Sequence, residues 1–194
     1  HHVVWNAHAS ELWRRTQITA TRLLERFARE HGHISRTLDP HTGRWRWAKT
    51  PVRIRFGKCA EFQRRGVVHF HVLARFDGID PHNPDAVLPP PEWANRFLLA
   101  WILRRAVEST RFQTRGLVLN DHRGNRLVNQ PDGWPIRWGG PQGIDIRPVR
   151  IRADEPLTEQ RVSSELHPAK HKRMLSGTAV ARYLAKYATK ATEQ

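Results

Sequence analysis

The stretch Val52–Phe76, VRIRFGKCAEFQRRGVVHFHVLARF, alternates apolar and polar residues on both sides of a short turn. From residue 52 to 62 and from residue 68 to 76, every even position is apolar except Lys58. The odd positions include arginine, glutamate and histidine. Because successive side chains of a strand point to opposite faces, each half is predicted to be a strand with one apolar and one polar face. Lys58 is expected to lie near a sheet end or to reach solvent.

The turn between the two halves sets how the strands pair. Arg64-Arg65-Gly66 is predicted to be a three-residue loop with its glycine in the left-handed position. The pairing that follows places Glu61 opposite His69 and Cys59 opposite His71. A two-residue loop would pair odd with even positions and mix the faces, so the hydrophobic pattern itself favours this register.

This register predicts a metal site on the polar face. Directly paired side chains lie ~5 Å apart at Cβ, so Glu61, His69 and His71 can share one ion. Two imidazoles and a carboxylate suit Mn²⁺ or Mg²⁺ bound to a phosphate oxygen, and zinc would bind the same ligands. The alternative is that both histidines are ordinary strand residues facing solvent. His31-Gly32-His33 has the same spacing but follows a helix, and it is interpreted as surface.

Composition points to a polyanionic partner. The 194 residues carry a formal net charge of +15, which is typical of proteins that bind nucleic acid. An acidic membrane surface or structural RNA would also explain the charge. No apolar stretch approaches the ~20 residues of a membrane helix. Cys59 is the single cysteine, which excludes an internal disulfide and a cysteine-rich zinc site within these residues.

Six residues are assigned to contact with the nucleic acid that the charge predicts. Arg53 and Arg55 lie on the predicted polar face and are expected to contact backbone phosphates. Trp45 and Trp47 can stack on unpaired bases, although packing in the core is an equal alternative. The two turn arginines, Arg64 and Arg65, complete the set.

The rest of the chain predicts helices and short strands. A helix is expected from an N-cap at Ser10 to about Glu30, ended by Gly32. A second is expected from about Glu92 to Glu108, with a buried stripe formed by Trp93, Phe97, Leu98, Trp101 and Ile102. Strands are predicted at 44–47 and 144–148, and loops with short hairpins over 121–143.

The segment 178–190 is alanine-rich and is predicted to be helical. It holds the two tyrosines of the chain, Tyr183 and Tyr187, one helical turn apart. Each is followed three residues later by a lysine, Lys186 or Lys190. A phenol has a pKa of ~10 and is a weak nucleophile at neutral pH, so neighbouring ammonium groups would help it react. The alternative is that both tyrosines belong to the packed stripe of an amphipathic helix.

His69-Phe70-His71 resembles the motif that names the HUH endonucleases, and 183–190 resembles their catalytic motif in its two-tyrosine form. The longer stretch 58–71 resembles rolling-circle replication initiators of actinobacterial plasmids and integrative elements. The resemblance implies an α+β fold in which helices flank a central antiparallel β-sheet, as in RRM and ferredoxin-like domains. It further implies that Glu61, His69 and His71 bind the metal, that Tyr183 and Tyr187 are the nucleophiles, and that Lys186 and Lys190 stabilise the phenolate or the phosphate.

The resemblance also predicts the function. Residues 1–194 are expected to form one nicking domain of a longer, cytoplasmic bacterial initiator. The domain would cut single-stranded or hairpin origin DNA through a 5′-phosphotyrosine and start rolling-circle replication, with a host helicase as a further partner. A conjugative relaxase, a single-strand transposase and a non-catalytic basic nucleic-acid-binding domain are the competing interpretations.

Overall fold

A computed structural model describes residues 2–140, 143–150 and 175–176 of the chain. These residues form two helices and ten strands. The elements are α1 (His2–Glu30), β1 (Arg36–Leu38), β2 (Trp45–Trp47), β3 (Val52–Phe62), β4 (Val68–Gly78), α2 (Arg96–Ser109), β5 (Arg111–Gln113), β6 (Leu117–Asn120), β7 (Arg126–Gln130), β8 (Pro135–Arg137), β9 (Val149–Arg150) and β10 (Leu175–Ser176).

The longest strands, β3 and β4, form an antiparallel ribbon in the predicted register. Glu61 pairs with His69 and Cys59 with His71. The turn residue Gly66 has a φ of 71°, the left-handed conformation that glycine adopts without steric cost. The register, the length of the turn and the role of its glycine are therefore confirmed.

The apolar face of the ribbon packs against both helices at the end away from the turn. Val52 and Phe76 are buried there, in one cluster with Leu24 of α1 and Ile102 of α2. Further along the face, the Trp13 ring of α1 lies 5.3 Å from that of Phe56, centroid to centroid. Burial of this face fixes the opposite, polar face of the ribbon towards solvent.

Near the turn, the apolar face is covered only in part. Phe62 is 76 % exposed and Val72 is 37 % exposed. Lys58 reaches back over the ring of Phe70, with its Nζ 4.5 Å from the ring centroid. Lys58 thus combines solvent exposure with a cation–π contact, which accounts for a charge on an otherwise apolar face.

Helix α1 begins eight residues before the predicted N-cap. It starts at His2, so Ser10 lies inside the helix and the predicted cap is wrong. The helix buries small side chains at helical spacing, among them Ala9, Ala20 and Ala28. Alanine has the highest helix propensity and lets a neighbouring element approach closely. The predicted end is confirmed, since the helix stops at Glu30.

Helix α2, in contrast, starts later than predicted. Asn95, and not the region of Glu92, caps it: the Asn95 side chain accepts hydrogen bonds from the backbone N–H of Phe97 and Leu98 at 3.0 and 3.1 Å. Leu98 is buried as predicted, but Phe97 is 52 % and Trp101 38 % exposed. The buried face of α2 consists of Leu98, Ile102 and the small Ala106, so it is narrower than the predicted aromatic stripe.

The remaining strands form short pairs. Strand β1 pairs with β2, β5 with β8 and β6 with β7, all antiparallel, whereas β9 and β10 are parallel. The predicted strand at 144–148 is wrong: the described strand begins at Val149, after Pro148, which has no N–H to donate to a ladder. Helices with antiparallel strands confirm the α+β class, and in the described residues the strands are joined in twos. Neither described helix has the length and apolar character needed to cross a membrane.

Candidate metal centre and DNA-binding face

The candidate metal ligands lie side by side on the polar face of the ribbon. The Nε2 atom of His71 is 3.3 Å from Oε1 of Glu61. The rings of His69 and His71 are 4.7 Å apart at their centroids and inclined at 61°. The side chains of His71 and Glu61 are 12 % and 28 % exposed, so a ligand can reach them while most of each side chain is held by its neighbours.

The distance between these two donor atoms suits a shared ion. Two ligands at right angles, each ~2.1 Å from Mg²⁺, have donor atoms roughly 3 Å apart. Glu61 and His71 come close to that separation as they stand. Yet no three His, Cys, Asp or Glu side chains in the part of the chain that the structure describes form a ready-made metal-binding group. His69 would therefore have to turn its ring for all three to bind one ion.

His69 has a pKa below its ordinary value. The main cause is burial, which penalises the charged imidazolium, and the nearby His71 adds to the shift. Glu61 acts in the opposite direction and raises the pKa. A lowered pKa keeps the imidazole neutral near neutral pH, and the neutral form is the one that binds a metal ion.

Arg53 is tied to the protein's own backbone. Its guanidinium donates hydrogen bonds to the carbonyl oxygens of Pro84 and Ala86, the latter at 2.7 Å. Those carbonyls belong to the segment that follows β4. The geometry therefore favours a structural role for Arg53, which fastens this segment to the ribbon, over the predicted contact with DNA.

Arg55 is more exposed and belongs to a charged cluster with Arg75 and Asp77. Arg75 Nε lies 2.8 Å from Asp77 Oδ1, and Arg55 Nε lies 3.9 Å from Asp77 Oδ2. The Asp77 side chain is only 3 % exposed, whereas the side chains of Arg55 and Arg75 are 47 % and 54 % exposed. Two guanidinium groups therefore face solvent on the same side as the histidines.

The turn of the ribbon is exposed and is held by the start of α1. Arg64 and Arg65 are both exposed, as a contact with DNA requires. Asn6 donates from Nδ2 to the carbonyl of Gly66 at 2.6 Å and accepts from the backbone N–H of Val68 at 3.0 Å. These two hydrogen bonds hold the turn against α1 and so fix the position of Arg64 and Arg65.

Trp45 and Trp47 do not pack in the core. Trp45 is 60 % and Trp47 45 % exposed, on a strand in which every residue is exposed. Arg36 pairs with Trp47 across the β1–β2 ribbon. Of the two sequence-based alternatives, the structure favours solvent-facing rings, which are open to stacking.

The comparisons with known proteins identify the family. The family model described as "Replication initiator protein, pSAM2" matches residues 1–194. The chain belongs to this replication initiator family. A curated relative, the "Replication initiator protein" of Streptomyces ambofaciens, is 35 % identical over 192 residues, which is 98 % of this chain. The chain spans 32 % of that relative's length. No solved structure matches the chain.

The predicted nucleophiles of this family member lie outside the described residues. They are Tyr183 and Tyr187, together with Lys186 and Lys190. Three other functional candidates were missed by sequence reasoning, namely Arg75, Asp77 and Asn6. Arg75 and Asp77 had a signal, because both are odd-numbered residues of β4 and so lie on the polar face. Asn6 had none, because its partners are about 60 residues away in sequence.

Proposed function

We propose that the chain is the nicking domain of a replication initiator and that it cuts single-stranded origin DNA on the polar face of the β3–β4 ribbon. The observation that carries the proposal is the 3.3 Å approach of Glu61 to His71, with His69 beside them, in a member of this family. The net charge of +15 supports a DNA substrate. The name of the Streptomyces ambofaciens relative, "Replication initiator protein", supports a role in starting replication.

In the proposed reaction, Glu61, His69 and His71 hold a divalent ion, Mn²⁺ or Mg²⁺. Such an ion supplies Lewis-acid polarisation of a phosphate oxygen. The chain's own groups do the rest. Arg64 and Arg65 contact the DNA backbone, and Trp45 and Trp47 stack on unpaired bases.

Tyr183 or Tyr187 is the proposed nucleophile. The phenol loses its proton and its oxygen forms a bond to phosphorus, while the bond from phosphorus to the 3′ oxygen breaks. The 3′ oxygen takes up a proton and becomes the hydroxyl that primes synthesis, and the 5′ phosphate remains on the tyrosine. Lys186 and Lys190 stabilise the phenolate. The phosphotyrosine ester retains the energy of the broken bond, so the strand can be rejoined without a nucleotide cofactor.

A denaturing gel tests this proposal. The protein is incubated with labelled single strands that tile the replicon encoding it, with Mn²⁺, Mg²⁺ or a chelator. We expect a covalent protein–DNA band that needs the metal and is lost in His69→Ala and in the double variant Tyr183→Phe/Tyr187→Phe. His31→Ala is the matched control, because it removes a histidine from the other His-x-His sequence.

The second candidate is a non-catalytic DNA-binding domain. One observation favours it: the described residues do not bring three metal-binding side chains together as they stand. Under this alternative, the same strands bind in the presence and absence of chelator and no covalent band forms with either metal. That result would reject the nickase and leave the binding function.

A further inference from the structure

Beyond the histidines and further from the turn, the polar face of the β3–β4 ribbon carries a second cluster, formed by Arg55 of β3 with Arg75 and Asp77 of β4. Asp77 is buried and binds Arg75 through both carboxylate oxygens, with Arg75 Nη2 donating to Oδ2 at 3.2 Å and Nε lying 2.8 Å from Oδ1. These contacts use two of the five N–H donors of the Arg75 guanidinium. The remaining donors belong to a side chain that is 54 % exposed, so they can bind a ligand.

The cluster carries more positive charge than its fold requires. Arg55 and Arg75 are directly opposite each other in the ribbon, and like charges in that position are destabilising. One carboxylate serves both guanidinium groups, so the three side chains together keep one net positive charge. Excess charge of this kind is expected where the protein binds an anion.

A gap in side chains connects this cluster to the histidines. Between them on the same face lies the pair Gly57 and Leu73. A Cβ added to Gly57 would meet only the Cβ of Leu73, at 4.0 Å, and its φ is not in the left-handed range. The backbone at this position thus does not require glycine, and the missing side chain leaves Leu73 alone at this pair, so the face is more open here on β3 than on β4.

We propose that Arg55 and Arg75 bind a second backbone phosphate of the DNA strand whose reacting phosphate lies at His69 and His71. Asp77 is the positioning residue: it binds Arg75 directly and pairs with Arg55 at 3.9 Å, while Arg55 Nη2 also donates to the carbonyl oxygen of Pro84 at 3.4 Å. The strand crosses the ribbon at Gly57. His71 and Arg75 are four residues apart, ~13 Å along the strand, so the phosphate lies a few nucleotides from the reacting one. The identity of the ligand as single-stranded DNA rests on the proposed function.

A neutral-phosphate scan tests the contact. Single-stranded oligonucleotides that each carry one methylphosphonate are titrated against the full chain in chelator, so that no cutting occurs. We expect one position, separate from the cleaved bond, to weaken binding by about tenfold. The same position should have no effect in the Arg55→Gln/Arg75→Gln variant, because the partner of that phosphate is already gone. If the effect persists in this variant, the assignment to Arg55 and Arg75 is wrong.

Salt dependence gives a second readout with a charge-matched control. Loss of one phosphate contact should reduce the slope of log affinity against log salt by about 0.7 for a single strand. The double variant Arg26→Gln/Arg105→Gln removes the same two charges from exposed arginines of α1 and α2 and should leave the slope unchanged. Equal slopes for the wild type and for the Arg55→Gln/Arg75→Gln variant would overturn the proposal.

Substitution of Gly57 tests the path of the strand. Gly57→Leu should reduce affinity by about tenfold, whereas Gly57→Ala should bind nearly as well as the wild type. Unchanged thermal unfolding of both variants would show that the fold is kept. If Gly57→Leu binds normally, the strand does not cross there. These arms measure binding without metal, so they remain readable even if no covalent adduct forms and the proposed nicking activity fails.

Discussion

The chain contains two His-x-His sequences with identical spacing and different surroundings. His69 and His71 lie on a strand, on one face, beside Glu61. His31 and His33 flank a glycine just after the end of α1, and their rings are nearly parallel, at 10°. The backbone conformation accounts for the difference, since a strand places alternate side chains on one face and a helix end does not.

The second pair is used for packing. The His33 ring stacks on Trp93 at 4.3 Å between centroids, and the His31 ring stacks on Phe27 at 3.9 Å. His31 Nδ1 is also within 3.0 Å of the carbonyl oxygen of Phe27. Exposure of His31 confirms the interpretation of this motif as surface, while His33 is half-buried. Spacing alone therefore says little about metal binding, and the neighbouring carboxylate separates the two pairs.

The largest expected difference between the two pairs is in metal affinity. His69→Ala or His71→Ala should weaken Mn²⁺ binding by at least about 100-fold, because loss of groups that merely support a ligand already costs 10–100-fold. His31→Ala and His33→Ala should bind Mn²⁺ like the wild type. Isothermal titration calorimetry of the four variants measures this. Equal losses of Mn²⁺ affinity in both pairs would show that His69 and His71 do not form a metal site distinct from His31 and His33.

Stability should show the reverse ranking. Trp93→Ala removes the stacking partner of His33 and a half-buried ring that packs against the core. We expect the free energy of unfolding to fall by about 2 kcal/mol, less than for a fully buried tryptophan. Mn²⁺ affinity should be unchanged. Urea unfolding checks the first expectation, and a loss of metal binding at constant stability would contradict the second.

The ribbon could be predicted because local signals agree there. The alternation of residues 52–76 and the position of Gly66 fix register, turn and faces together. The helix starts could not be predicted, because they depend on packing. Ser10 has a side chain suited to an N-cap, yet the helix begins eight residues earlier. The additional residues make contacts that are distant in sequence: the indole N–H of Trp5, for example, donates to the carbonyl oxygen of Arg137.

The part of the candidate site that lies on the β3–β4 pair could be predicted from the sequence, and the rest could not. Glu61, His69 and His71 meet through the register alone. Arg53 looked equivalent to Arg55 in the pattern, but the half-buried Arg53 donates to the loop carbonyls of both Pro84 and Ala86. The exposed Arg55 makes only one longer bond, to Pro84, at 3.4 Å, and no alternation reveals this difference. The position of Tyr183 and Tyr187 relative to the histidines remains a prediction.

Glu61 distinguishes the two pairs, because it lies beside His71, whereas the rings of His31 and His33 stack on Phe27 and Trp93. Glu61→Gln keeps the shape of the side chain and removes its charge. We expect Mn²⁺ affinity to fall about tenfold, since a hard divalent ion prefers a carboxylate oxygen to an amide. Glu25→Gln, an exposed change on α1, controls for the loss of one negative charge. Calorimetry in the same buffer gives both values, and equal affinities for the two variants would remove Glu61 from the ligand set.

The smallest expected effect concerns the protonation of His69 in the metal-free protein. Its pKa lies below the ordinary value of 6.5, chiefly through burial. Because Glu61 raises that pKa, Glu61→Gln should lower it further. A folded-state pKa below the unfolded one means that the unfolded chain binds the proton more tightly. The stability contributed by neutral His69 is therefore complete above about pH 6.5 and is lost as the pH falls towards the folded-state pKa.

An NMR titration of the His69 ring protons in chelator measures this directly. The midpoint should lie below 6.5 in the wild type and lower still in Glu61→Gln. A midpoint above 6.5 would mean that the charge of Glu61 outweighs burial, and that the proton competes with the metal ion more strongly than the geometry of this face implies. Metal binding would then weaken on modest acidification, and burial of His69 would not be what keeps its imidazole neutral for metal binding.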